Sequence, residues 1–67
     1  MKWLDVQVIA ETLFDQEPTL NPMTLRFTDL RDKTMSLDGF EDKVEHCNER
    51  VLEAIQMAWL EEFQDED

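Results

Sequence analysis

In 67 residues the chain has one cysteine, one glycine, two prolines, no tyrosine and only six lysines and arginines. The lone thiol, Cys47, forms no internal disulfide and no metal centre built from thiolates alone. The lone glycine, Gly39, rules out the glycine-rich loops that wrap backbone N–H groups around phosphate. The opening Met1-Lys2-Trp3-Leu4-Asp5 lacks the unbroken apolar run of a signal peptide. No stretch reaches the ~20 apolar residues that a membrane span requires. A cytoplasmic protein is the expectation. At this length folding buries only ~60% of the unfolded surface, so one domain with a modest core is foreseen, with little room for a deep, dry active site.

What the chain has in excess is negative charge. Seventeen Asp and Glu give a formal net charge of −11, while 42% of the residues are hydrophobic. That apolar share places it in the globular class. The charge repels phosphate backbones and anionic headgroups and attracts basic surfaces or cations, which argues against nucleic-acid and membrane partners.

Three helices are readable. Val6, Ile9, Ala10, Leu13 and Phe14 fall on one helical stripe. Asp5 suits its N-cap, with Leu4 and Ile9 as a hydrophobic staple. Pro18 ends this helix by forcing Glu17 out of helical angles. Asn21-Pro22 can open a single turn. A second helix is expected over Asp29–Leu37, capped by Thr28, with Lys33 and Thr34 diluting the Leu30/Leu37 stripe. Asp38-Gly39 breaks it, and Gly39 is expected at positive φ. Phe40 anchors the acidic loop that follows. Asn48 caps a third helix with Val51, Leu52, Ile55, Trp59 and Phe63 on one face. Trp59 is assigned to the core and Trp3 to a lid over it.

Motifs for catalysis are missing. His46 and Cys47 are sequence neighbours whose side chains diverge, which disfavours a nucleophile–base pair. Glu41, Asp42 and Glu45 cluster in the loop, yet carboxylate-only sites without a rigid cage are weak and unselective. Two architectures fit three helices, a plain bundle or a helix-turn-helix domain. In the second case the acids deny the phosphate contacts that DNA binding requires, so the fold would serve protein binding.

Lys2-Trp3-x-Asp5, Ile9-Ala10, Leu13 and Asp15 open a longer pattern. It continues as Pro18-x-Leu20-x-Pro22-x-Thr24-x-Arg26-Phe27-Thr28-Asp29, then Leu37 and Phe40. It closes with Asn48-Glu49-x-x-Leu52-Glu53-Ala54-Ile55 and Trp59-Leu60-x-Glu62. In this order and spacing the residues resemble the IscX family, small acidic proteins of the bacterial iron–sulphur cluster assembly system. The resemblance implies an all-α, three-helix, winged-helix-like domain over 1–67. It also implies docking on a basic patch of a cysteine desulfurase of the IscS type, in competition with frataxin, and weak binding of ferrous iron by surface carboxylates. No tightly bound cofactor and no catalytic activity are implied.

Two departures from the family pattern stand out, Lys33-Thr34 inside the second helix and Lys43-Val44 interrupting the acids after Phe40. The reading that results is a monomeric, non-catalytic acidic adaptor. Its expected partner-binding residues are Asp5, Asp29, Glu41, Asp42, Glu45, Glu61 and Glu62. The expected weak metal ligands are Glu41, Asp42, Glu45, Glu61, Glu62 and Asp65, and Arg26 is expected in a structural ion pair. An acidic tail at about 64–67 is expected to fray. Iron delivery, or nucleic-acid mimicry directed at a DNA-binding protein, are the alternative functions.

Overall fold

The structure, a computed structural model, describes residues 1–65. Helix α1 spans Val6–Gln16, α2 spans Phe27–Met35 and α3 spans Glu49–Asp65, with 3₁₀ turns at Pro22–Thr24 and Val44–His46. No strand occurs among the described residues. The described residues form an all-α domain with three helices, and no wing occurs among them.

The stripe on α1 buries Ile9, Ala10 and Leu13, with Val6 and Phe14 half-buried at its edges. It packs mainly against α3, which contributes Val51, Leu52, Ile55 and Trp59. Leu30 of α2, Leu37 and the ring of Trp3 complete the core. Several local signals act as the sequence suggests. Glu17, ahead of Pro18, takes φ −136° and ψ 68° and ends α1. The Asn21 side chain accepts from the Met23 N–H at 2.9 Å above the Pro22 turn. Gly39 sits at φ 82°, where a Cβ would be strained. The Asn48 side chain accepts from the Val51 N–H at 2.9 Å at the start of α3.

Other expectations are corrected. Asp5 stands at the α1 N-cap but its carboxylate turns back to accept from the Lys2 N–H at 2.8 Å, so it holds the preceding turn and not the helix. Leu4 is 85% exposed and staples nothing, because Trp3, only 1% exposed, takes the inward position. Helix α2 begins at Phe27 after Arg26, ahead of the expected Thr28 cap, and ends at Met35. Leu37 lies in the turn beyond, its N–H bonded to the Thr34 carbonyl at 3.1 Å.

Thr34 does not dilute the stripe; it is part of the core. Its side chain is fully buried, and the hydroxyl is satisfied by donating to the Leu30 carbonyl at 2.9 Å. Lys33 turns outward to pair with Glu17 at 2.8 Å, tying α2 to the end of α1. Arg26, at the exposed entry of α2, makes no ion pair among the described residues. Gln64 and Asp65 are the last described residues of α3. Glu66 and Asp67 lie outside the described residues.

Candidate functional site

The acids expected to act together fall into two regions. One surrounds the loop after Gly39, where the N-terminal segment lies across it. The Glu41 N–H donates to the Met1 carbonyl at 2.8 Å. The Trp3 indole N–H donates to the Lys43 carbonyl at 2.8 Å, and its ring meets Phe40 edge-on with centroids 4.8 Å apart.

Asp42 is the knot of this arrangement. One oxygen accepts from the Trp3 N–H at 3.1 Å; the other accepts from the Lys43 N–H at 2.7 Å and from His46 Nδ1 at 2.6 Å. An ionised carboxylate can only accept, so His46 donates through Nδ1. The His46 hydrogen bond, followed by the backbone N–H groups of Lys43 and Trp3, lowers the Asp42 carboxyl from 3.8 to about 2. Asp42 is therefore committed to holding the loop. Glu41 and Glu45 on either side are exposed and free to face a partner.

The sign of the pH effect follows from the lowered value. Asp42 contributes stability that is complete above about pH 4 and is lost as the pH falls towards about 2. Asp42→Asn should melt below the parent at neutral pH, and the two midpoints should converge between those limits. Parallel midpoint curves from pH 5 to 2 would show that Asp42 does not carry the acid sensitivity.

The second region joins α1 to α3. The Gln7 amide donates to Glu11 at 3.3 Å and to Glu62 at 3.1 Å, drawing two carboxylates to one side chain. Glu62 is half-buried by this contact, while Glu61 and Asp65 are exposed on α3. Asp5 and Asp29 are exposed as well, each at the start of a helix. The structure thus separates Glu41, Asp42 and Glu45 in the loop from Glu61, Glu62 and Asp65 on the last turns of α3. Among the described residues no three His, Cys, Asp or Glu side chains come together as a metal-holding group. The ferrous iron implied by the sequence pattern does not find a preorganised donor set in them.

Cys47 is half-buried, and burial pushes its thiol up against the opposing charge of Arg31. A raised thiol is poor in thiolate and is no activated nucleophile. Its neighbour His46 is already engaged by Asp42.

Over 62 residues the sequence is 44% identical to an uncharacterized protein of Pseudomonas aeruginosa, an alignment covering 92% of this chain and 94% of that one. Residues 1–64 match the family described as iron–sulphur cluster assembly. The chain belongs to the IscX family. Membership ties it to iron–sulphur cluster assembly, and no helix among the described residues is long and apolar enough to cross a membrane.

Two features of this IscX-family surface escape a reading of the sequence. The Gln7 bridge was invisible because glutamine carries no charge and Glu62 lies 55 residues away. The Asp42 knot was invisible because its partner Trp3 is 39 residues distant, beyond the reach of any helical period. One local signal did exist for it: His46 stands four residues after Asp42.

Proposed function

We propose that the protein is a non-catalytic acidic adaptor that docks on a basic patch of a cysteine desulfurase and modulates iron–sulphur cluster assembly. One observation carries this reading. Of the acids within residues 1–65, only Glu17, Asp32 and Asp42 meet a cationic or histidine partner; the others have no countercharge, and of these Asp5, Glu11 and Glu62 accept a neutral N–H. A surface so unbalanced adds speed and orientation to an encounter with a basic protein more than it adds affinity. Asp5, Asp29, Glu41, Glu45, Glu61 and Glu62 serve as docking charges, and Asp42 holds the loop that presents two of them. Frataxin, by the same family logic, competes for that patch.

Cation binding is a secondary property in this reading. Exposed carboxylates on separate elements bind divalent ions weakly and with little preference, and Cys47 takes no part. Iron delivery as the main task would ask for a preorganised donor set.

Affinity for a purified IscS-type desulfurase, measured by calorimetry, should fall as salt rises from ~0.1 M to ~1 M, since the screening length drops from ~10 to ~3 Å. Three exposed contacts at roughly 0.5 kcal/mol each amount to about a tenfold loss. A flat profile would move the interface to an apolar face and sink the electrostatic mechanism. Capture of a DNA-binding protein in place of a desulfurase would favour nucleic-acid mimicry.

A further inference from the structure

Of the exposed large apolar side chains, only Leu4 and Val8 stand one helical turn apart in sequence. Leu4 lies in the turn that enters α1, ahead of its first residue Val6, while Val8, Glu11 and Asp15 share the side of α1 away from Ile9, Ala10 and Leu13. All four are exposed. We infer that this stripe is the contact face for a basic protein surface, with Leu4 and Val8 as its apolar anchor and Glu11 and Asp15 as its charged flank.

Leu4 sits where a chain entering a helix usually tucks an apolar residue onto the first turns. Here Trp3 fills the inward position, and Leu4 is left 85% in solvent. Helix α1 carries no lysine, arginine or histidine. Asp5, Glu11 and Asp15 rim the stripe, and Gln7 draws Glu62 of α3 towards the same side. The nearest cation in sequence is Lys2.

That rim selects the occupant. A second copy of this chain would bring another formal charge of −11 against the first, and anionic lipid or nucleic acid is refused on the same ground. What remains is a basic protein surface with an aliphatic-accepting depression among its lysines and arginines. The inference rests on the adaptor reading and adds two things to it. One is the face used. The other is an apolar centre whose contribution survives salt, as the desolvated centre of an interface does while its charged rim does not.

The test uses the whole chain against a purified IscS-type desulfurase, by calorimetry at ~0.1 M and ~0.5 M salt. The double variant Leu4→Gln, Val8→Gln should weaken binding by about tenfold or more at both salt concentrations, as loss of an interface anchor does. Leu4→Gln alone, at a position almost wholly in solvent, should leave the thermal midpoint unchanged and still weaken binding. Glu11→Gln with Asp15→Asn should weaken binding at low salt and converge on the parent at high salt. Met57→Gln, an exposed apolar residue on the outward side of α3, should change nothing.

A Leu4/Val8 double variant that binds like the parent overturns this face and leaves the desulfurase reading intact. Equal losses from Met57→Gln also overturn it. A parent that binds no desulfurase at either salt concentration overturns both.

Discussion

Trp59→Ala should leave the domain largely unfolded at 25 °C. Its side chain is 0% exposed and shares the α3 stripe with Leu52 and Ile55, on the helix that packs mainly against α1. Truncating a buried tryptophan removes the transfer free energy of the ring and leaves a cavity, a cost of ~3–5 kcal/mol. A chain of this length holds roughly 3–10 kcal/mol in total at about 0.05–0.15 kcal/mol per residue. The loss is therefore comparable to the whole. Circular dichroism should show little or no cooperative transition on heating. A sharp transition within a few degrees of the parent would take Trp59 out of the core.

The core was legible because it is written in helical spacing. Ile9, Ala10 and Leu13 on α1, and Val51, Leu52, Ile55 and Trp59 on α3, repeat every three or four residues and are the residues the structure buries. Residues that punctuate the chain were legible too. Pro18, Asn21-Pro22, Gly39 and Asn48 each act through their own backbone or side-chain chemistry within two or three residues, so no distant partner has to be known.

Three misreadings share a different cause. Thr34 reads as polar, and only the turn of helix below it, which offers the Leu30 carbonyl, makes its burial affordable. Asp5 has the right type for a cap, but the Lys2 N–H competes for the carboxylate and wins. Leu4 and Trp3 are adjacent apolar residues; Trp3 was assigned inward as a lid, and the staple rule wrongly turned Leu4 inward as well. What decides between them is the loop from Phe40 to Lys43, which receives the Trp3 ring from 37 to 40 residues away and receives nothing from Leu4.

The candidate site was legible as chemistry and not as geometry. The surplus of acids is plain in the composition. Which carboxylates are engaged internally is set by tertiary contacts: Asp42 on the N-terminal segment and Glu17 on Lys33, while Glu62 meets only the neutral Gln7 amide and keeps no countercharge. Asp42 was nominated for docking and metal binding on its sequence neighbours alone. In the structure the same residue is the most heavily hydrogen-bonded carboxylate of the described chain.

The two tryptophans offer a comparison that isolates one hydrogen bond. Both are buried to 1% exposure or less, so Trp→Phe removes the same volume from each. They differ at the indole nitrogen. Trp59 Nε1 is buried with no hydrogen-bond partner among the described residues, whereas Trp3 Nε1 donates to the Lys43 carbonyl at 2.8 Å. Trp59→Phe deletes an unsatisfied buried donor, which offsets part of the cavity cost. Trp3→Phe deletes a made bond and leaves the Lys43 carbonyl without its donor, so it should cost about 1 kcal/mol more than Trp59→Phe. Trp3→Ala should lose ~3–5 kcal/mol, because it also gives up the Phe40 contact and the packing over the core. Urea denaturation of the three variants measures these differences directly. Amide exchange supplies the structural half of the test: in Trp3→Phe the amides of Glu41 and Lys43 should exchange faster while those of α3 keep their protection. If Trp59→Phe proves the more damaging swap, the indole of Trp3 does not hold the loop, and the Asp42 knot has to stand without it.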